Sequence, residues 1–490
     1  MFFRGLWGYL PANILQGLVG FATLWAFTRV LTPEQYGIYA LTFGVSSLAQ
    51  TVFFTWIESA MARFYPVEGR DEPEAPALYG TLYRLFAVVA VVFVILCALG
   101  LWLWPAGGAL KTAMAMGLGC VIFRSLGKLV QEQRKSEGRV GQASLIDMLQ
   151  TGGGFILGVV FATGFFGLAP GMGGASPVVG AGVMVALCLP FFAREDWGRA
   201  GKGVFDKVRA VTYAHYGFPL SASLILTLAL YTVDRFLIAH YLNEAEAGAY
   251  HAGFSLASRV LDVLFIWFGA AGTPAMVNAL ESGGIDALKA SARQQIQTMA
   301  FILFPAVGGL IIVAPSLGAI LIGEGLRHDA LSVTPLISIG ALLSGLNTYY
   351  FLQAFTLARR TRLLVVAMSV PAVSNIALNL ALIPVMGLMG AALASALSFG
   401  LGLMASWLLG LKTLSLPVPA LPLLKTAGSV AVMMIVLAVL PVTGLHIFDL
   451  IVRALGGVAI YGGLAWLLDL NDIRGPAQQM FYRLRAKVMA

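Results

Sequence analysis

The sequence predicts an all-α integral membrane protein of about 14 transmembrane helices, with both termini cytoplasmic. Three observations carry this. The chain falls into apolar runs of about 20 residues, the length one helix needs to cross a bilayer. Of its 490 residues 59% are hydrophobic and only 11% charged, with a mean hydropathy of +0.85. A soluble domain of this length would carry far more charge. Lysine and arginine also collect in alternate gaps between the runs. Of the 31 basic residues, six fall outside that alternate set: Arg29, Lys111, Arg235, Arg259, Arg327 and Arg453. Such a bias orients the chain.

The runs centre near Gly17, Ser47, Val92, Gly117, Ile156, Val183, Ile225, Leu261, Ala306, Leu343, Ala372, Ser398, Val432 and Gly457. Arg4 before the first run resembles the start of a signal peptide. The run continues to about Phe27 without a small-x-small cleavage site, so it reads as a retained first helix. The longest basic gaps, near 58–79, 123–142 and 193–211, are too short for a second domain. Beyond Asn471, Met480, Phe481, Leu484 and Val488 interleave with Arg483, Arg485 and Lys487. That pattern suits a short helix lying on the inner leaflet, or simply a basic tail.

Composition excludes several function classes. The net charge of +8 follows from the loops that face anionic headgroups, so no nucleic-acid partner is implied. Cys97, Cys120 and Cys188 all sit inside apolar runs, which argues against a disulfide framework or a zinc site. There is no Gly-x4-Gly-Lys-Ser/Thr loop for ATP, no Asp-x-Asp pair and no ligand spacing among the five histidines. No cofactor is expected. A membrane glycosyltransferase or polymerase is disfavoured, and the chain reads as a non-enzyme.

An internal repeat sets the organisation. Leu31-Thr-Pro-Glu-Gln-Tyr-Gly-Ile-Tyr-Ala recurs 211 positions later as Leu242-Asn-Glu-Ala-Glu-Ala-Gly-Ala-Tyr-His. At this offset Gly37 matches Gly248, Tyr39 matches Tyr250, Phe54 matches Phe265 and Trp56 matches Trp267. The period holds six spans, so both copies insert the same way up, as in parallel-repeat transporters. The expected divisions are a six-helix bundle over 1–210, a second over 211–411, two further helices over 412–470 and a basic tail over 471–490. Duplicated bundles suit alternating access, one bundle rocking against the other.

The segment opening at Leu31 resembles the first outer loop of the bacterial polysaccharide transporter family. These are the O-antigen and exopolysaccharide flippases of the multidrug/oligosaccharidyl-lipid/polysaccharide exporter superfamily. Tyr231-Thr-Val-Asp-Arg-Phe-Leu-Ile and Val385-Met-Gly-Leu-Met-Gly-Ala-Ala-Leu-Ala-Ser-Ala-Leu-Ser are similar to its second-half signatures. The resemblance implies a bacterial inner-membrane protein that moves oligosaccharide carried on undecaprenyl pyrophosphate to the outer leaflet. Its partners would be that lipid-linked oligosaccharide, membrane lipids, and polymerase and export machinery. Peptidoglycan-precursor flippases and ion-coupled drug antiporters are the neighbouring alternatives.

Intramembrane charge marks the candidate site, because a charged side chain within the bilayer needs a cavity or a partner. Arg259 and Asp262 stand where the first copy has Leu48 and Thr51, and Arg235 where it has Leu24. His251, Ser255, Ser258, Arg259 and Asp262 share one helical face. Either they line a wet cavity, or Arg259 and Asp262 neutralise each other. Asp234 and Arg235 end a similar stripe from Ser223, or anchor at headgroup level. A forked pyrophosphate suits guanidinium donors, so Arg259, Arg235, Arg29, Arg124 and Arg63 are the cargo-binding candidates. Arg63 and Arg124 also fit plain loop anchoring. Asp262, His251, Asp234 and Glu58 are candidates for ion coupling. Asp147 is expected to pair with nearby arginines. Asn347, Gln353, Asn375 and Asn379 are expected to join helices by hydrogen bonds.

Overall fold

A computed structural model describes residues 2–69, 74–105, 108–165 and 172–475. The candidate tail helix, Arg70, and the family of charges from Arg483 onward lie outside the described residues. The described chain is helical throughout, with no β-strand. Among the described residues ten helices are long and apolar enough to cross a membrane, or eleven when one bent pair is taken as a single span. It is a multi-pass membrane protein.

The first compact unit is residues 1–252. Helix α1 (Phe2–Val30) is followed by α2 (Pro33–Phe53) and α3 (Thr55–Glu68). The start of α2 is written in its sequence. The Thr32 hydroxyl accepts from the Gln35 amide, Gln35 Oε1 accepts from the Thr32 amide, and Pro33 opens the first turn. The second apolar run is not one straight span: α2 and α3 meet at Phe54 with a bend of 50°. Next come α4 (Ala75–Leu103), α5 (Ala109–Ser136), α6 (Val140–Met148), α7 (Gly154–Val160) and α8 (Ser176–Phe192). A π-helical turn, Leu149–Gly153, joins α6 to α7. The gap expected near 193–211 holds a short helix, α9 (Arg194–Lys202), before α10 (Lys207–Tyr241). Asp206 caps α10 by accepting from the Val208 and Arg209 amides at 2.8 and 3.2 Å.

A buried cluster of Phe54, Ile57, Met61, Leu78, Phe93 and Val121 ties α3, α4 and α5 together. Where backbones must approach more closely, glycine is required. A Cβ on Gly203 would lie 2.3 Å from the Pro76 carbonyl oxygen, which pins the chain after α9 against α4.

The second compact unit is residues 253–490. Helix α11 (Glu244–Leu321) carries the eighth and ninth apolar runs without a loop between them. Its break is one residue, Gly284, at φ 69°. Then follow α12 (Glu324–Leu346), α13 (Gln353–Leu357), α14 (Thr361–Leu411), α15 (Ala420–Val439) and α16 (His446–Leu467). In α14 two runs are again divided by one glycine, Gly387 at φ 58°. These φ values lie where only glycine is at ease. The two glycine breaks in place of loops account for part of the difference between the ten or eleven spans of the described residues and the expected 14 or so apolar runs. Asn375 donates to Ser395 and Ser398 at 3.5 and 3.4 Å, so the amide tether between the halves of α14 forms as expected. Gln353 does not tie helices together through its amide nitrogen; it donates to the Thr348 carbonyl five residues back.

The division of the repeat at 210/211 and the division of the compact units at 252/253 are different quantities. The first marks where the sequence duplicates, the second where contacts between the two parts of the chain are sparsest.

Candidate functional site

In the first unit, α3, α5 and α10 line an open cavity of about 410 Å³. Helix α3 brings Thr55, Glu58, Ser59 and Arg63 to it, residues three to four apart and therefore on one face. Helix α5 adds Lys128 and Glu132, and α10 adds Tyr216. Glu58 is buried, and its Oε1 accepts from Gln50 Nε2 at 3.2 Å across the α2–α3 bend. Lys128 Nζ lies 3.5 Å from Glu132 and donates to Gln131 at 3.0 Å. Glu132 also receives Lys135 at 2.8 Å. Arg63 lines the cavity, and among the described residues no carboxylate lies within 4.0 Å of it. One turn further along α5, Arg124 keeps its Nε buried with no hydrogen-bond partner among the described residues. Polar walls of this kind hold water or a hydrated group. Two cations with room beside them can take an oxyanion, and a buried carboxylate can take a cation or a proton.

The structure thus brings Glu58, Arg63 and Arg124 of the expected set to one region and adds Lys128 and Glu132. In the sequence Lys128 falls among the basic residues of an inside gap, and Glu132 is not singled out. The available signal was spacing: Arg124, Lys128 and Glu132 recur every fourth residue.

A second constellation is closed. Asp234 and Arg235 are 4% and 5% exposed, so protein and not headgroups surrounds them. Tyr250 donates to Asp234 Oδ2 at 2.9 Å, and the His251 ring lies 5.8 Å from Tyr36 and 5.7 Å from Tyr39. The two copies of the repeated motif make this cluster. Gly248 packs on Gly37 so tightly that a Cβ would lie 2.8 Å from the Gly37 nitrogen. The caps repeat as well: Asn243, the counterpart of Thr32, accepts from the Glu246 amide at 2.8 Å.

The remaining candidates lie apart. Arg29 donates to the Trp25 carbonyl at 3.0 Å, with its guanidinium 5.2 Å from that ring centre. Arg259 and Asp262, in the second unit, are exposed, and no ion pair within 4.0 Å joins them among the described residues. Asp147 meets no arginine among the described residues; Gln16 of α1 donates to it. The arginines expected nearby are engaged elsewhere. Arg134 pairs with Asp196 at 3.1 Å and Glu137 at 3.1 Å, and Gln133 donates to Asp196 at 2.8 Å. This network clamps α9 onto α5. Outside the spans, burial pushes the Asp196 carboxyl above its usual range, more than Gln133 and Arg134 draw it down. Burial also acts on Glu137, but hydrogen bonds from Tyr65, Gln133 and Arg134 outweigh it and hold that carboxyl below the usual range.

No group of three or more His, Cys, Asp or Glu side chains that could hold a metal occurs among the described residues.

Residues 3–280 match the family model described as polysaccharide biosynthesis protein. The chain belongs to that family. Comparison with curated proteins finds no match. Among solved structures it is similar to the lipid II flippase MurJ in an inward closed conformation, with a TM-score of 0.74 at 15% identity over 94% of this chain and 98% of that one. It is also similar to an inward-facing multidrug resistance MATE family transporter of the MOP superfamily, with a TM-score of 0.64 at 16% identity over 81% of this chain and 93% of that one. A MOP superfamily transporter from Pyrococcus furiosus gives 0.51 at 14% identity over 83% and 92%. At these identities the likeness establishes the fold: this member of the polysaccharide biosynthesis family has the architecture of flippases and transporters.

Proposed function

We propose that this protein is a flippase that carries undecaprenyl-pyrophosphate-linked oligosaccharide across the bacterial inner membrane for polysaccharide assembly. It works by alternating access of two six-helix bundles, with the termini cytoplasmic, and without covalent catalysis. The observation that carries the reading is the polar cavity of about 410 Å³ lined by Arg63 and Lys128. A pyrophosphate is the part of such a cargo that an apolar core repels most, and guanidinium and ammonium groups beside open space offset that repulsion. Arg124 continues the cationic path along α5. Arg235, Arg259 and Arg29 serve later positions of the same passage. Glu58, Asp234, His251 and Asp262 are the groups through which an ion gradient drives the cycle. The polymerase and export machinery take the product.

A lipid II-type precursor carries the same pyrophosphate and fits the same cavity. An ion-coupled antiporter for cationic small molecules is favoured by one observation, the acids Glu58 and Glu132 on that wall. The test is deletion of the gene. Loss of one surface polysaccharide, with its lipid-linked precursor held on the inner leaflet, supports the reading. Arrest of peptidoglycan synthesis, or altered drug sensitivity with normal glycans, selects an alternative. Arg259→Ala should reproduce the loss while still inserting; normal glycan export by that variant would remove Arg259 from the path.

A further inference from the structure

Lys111 is one of the six basic residues that the orientation rule leaves over, and the proposed cargo path does not use it. It stands on the rim of a second cavity in the first unit. This one, about 370 Å³, lies among α2, α4, α5 and α10. Tyr79, in the Arg134–Asp196 network, and Leu103, beside this cavity, are separated by most of α4, roughly 35 Å. The cavity therefore sits at the opposite end of the unit from the clamp. Its walls are hydrocarbon, with Leu41, Leu101, Met114, Leu118 and Phe236. Polar groups occur at its edge: His240 and Glu244 line it, and Lys111 Nζ donates to the carbonyl of Trp104, itself a wall residue, at 3.0 Å.

Helix α4 decides what this space meets. It is the most apolar of the candidate spans and the least buried, with Leu96, Leu99, Trp102 and Leu103 all exposed. Such a face contacts lipid tails. Gly100 lies in the middle of that face, also lines the cavity, and has no atom within 4 Å of where a Cβ would stand. It forms a gap in the wall that opens toward hydrocarbon. An apolar cavity of this size does not hold water well, and left empty its lining loses dispersion contacts. Its size and its balance of many apolar and few polar walls are those of a ligand site.

We propose that this cavity binds one phospholipid of the outer leaflet. An acyl chain enters beside Gly100 and packs between Leu101, Met114 and Leu118, and the phosphate rests near Lys111 and His240. The charges agree: a phosphodiester meets a cation, and Glu244 stands beside an amine-bearing headgroup. The site is separate from the cargo cavity, and its test does not depend on what the protein transports.

The test uses the full chain in phosphatidylethanolamine vesicles containing a phospholipid with a photoactivatable diazirine at the end of one acyl chain. Labelled peptides are mapped after illumination. Labelling should concentrate on the α4 and α5 peptides that contain Leu101, Met114 and Leu118, above the level on the lipid-facing residues of α16. Gly100→Phe, placed where there is open space, should cut labelling of those peptides at least about five-fold and leave α16 unchanged. Met114→Trp fills the same space from α5 and should do likewise. Lys111→Gln with His240→Gln should lower labelling by the phospholipid but not by a photoactivatable alkane. Labelling no greater than on α16, or insensitive to both filling variants, overturns the site. Equal response of phospholipid and alkane to the rim variants overturns the headgroup assignment, and with it the proposal.

Discussion

The cavity at Arg63 and the cluster at Arg235 are two answers to the same difficulty, charge inside an apolar bundle. At Arg63 and Lys128 the side chains face empty volume, and Arg63 has no carboxylate beside it among the described residues. At Asp234 and Arg235 the charges are enclosed, with Tyr250 bonded to Asp234 and the rings of Tyr36, Tyr39 and His251 close by. Composition does not separate the two. Packing does: open volume leaves a cation available to a ligand, and enclosure commits it to its neighbours. The first region is accordingly read as the place where cargo is first met, and the second as a closed junction of the duplicated motifs that cargo reaches only later in the passage.

The comparison can be broken at several points. Arg235→Leu restores the residue that the first copy carries at Leu24. It leaves Asp234 buried and short of a cation, which should destabilise the fold by about 3–5 kcal/mol. Thermal unfolding in detergent would register this as a large fall in melting temperature, with Asp234→Leu added in the same chain recovering much of it. A stable single variant that cannot transport would reverse the roles assigned to the two regions.

Gly248→Leu should have a comparable effect on unfolding, because its side chain would collide with the Gly37 backbone. Gly141→Leu, where a Cβ meets nothing within 4 Å, should unfold like the parent. Equal behaviour of the two variants would show that the close crossing is not needed.

Arg63→Ala should leave the stability within about 0.5 kcal/mol of the parent, as for an exposed side chain. Flipping of a labelled lipid-linked oligosaccharide in vesicles should nonetheless fall about ten-fold, equivalent to ~1.4 kcal/mol. Retained flipping would remove Arg63 from the cargo path. Arg63→Lys should recover part of the rate, since it keeps the charge and loses the fork.

The smallest effect is on acid stability. Glu137 has a folded value below its ordinary 4.5, so the stability it contributes is present above 4.5 and is lost as pH falls through the lower folded value. Asp196 is raised above its ordinary 3.8, so its protonation on acidification favours the folded state and opposes that loss. Glu137→Gln should flatten the melting temperature below pH 4.5, and Asp196→Asn should steepen it. The same slope in both variants would show that this clamp does not set the acid limb.

Much of the fold was legible because the relevant signals are local. Thr32-Pro-Glu-Gln35 is a helix start by its own chemistry, and the structure forms each of its hydrogen bonds. Asn375 lies among apolar residues and is one turn from Asn379, so a buried tether was foreseeable. The site was less legible. Arg63, Arg124 and Lys128 look alike as basic residues near helix ends, and only the bend at Phe54 and the approach of α10 leave space beside them. Asp147 was assigned to arginines on the strength of sequence proximity. Gln16, 131 residues away, is what reaches it, and the arginines are held by Asp196 and Glu137.

The sequence by itself determined that the chain crosses a membrane many times, that its motif is duplicated 211 residues apart, and which charges stand without a loop to explain them. These are properties of composition and period, and each residue carries its share regardless of neighbours distant in the chain. Tertiary structure alone decided that Gly37 and Gly248 touch, that Arg235 is enclosed while Arg63 faces a cavity, and that Lys111 stands at the rim of an apolar pocket. Those outcomes depend on how far apart helices lie. That distance is set by which side chains, or missing side chains, come between them, and residues far apart in the chain fix it jointly.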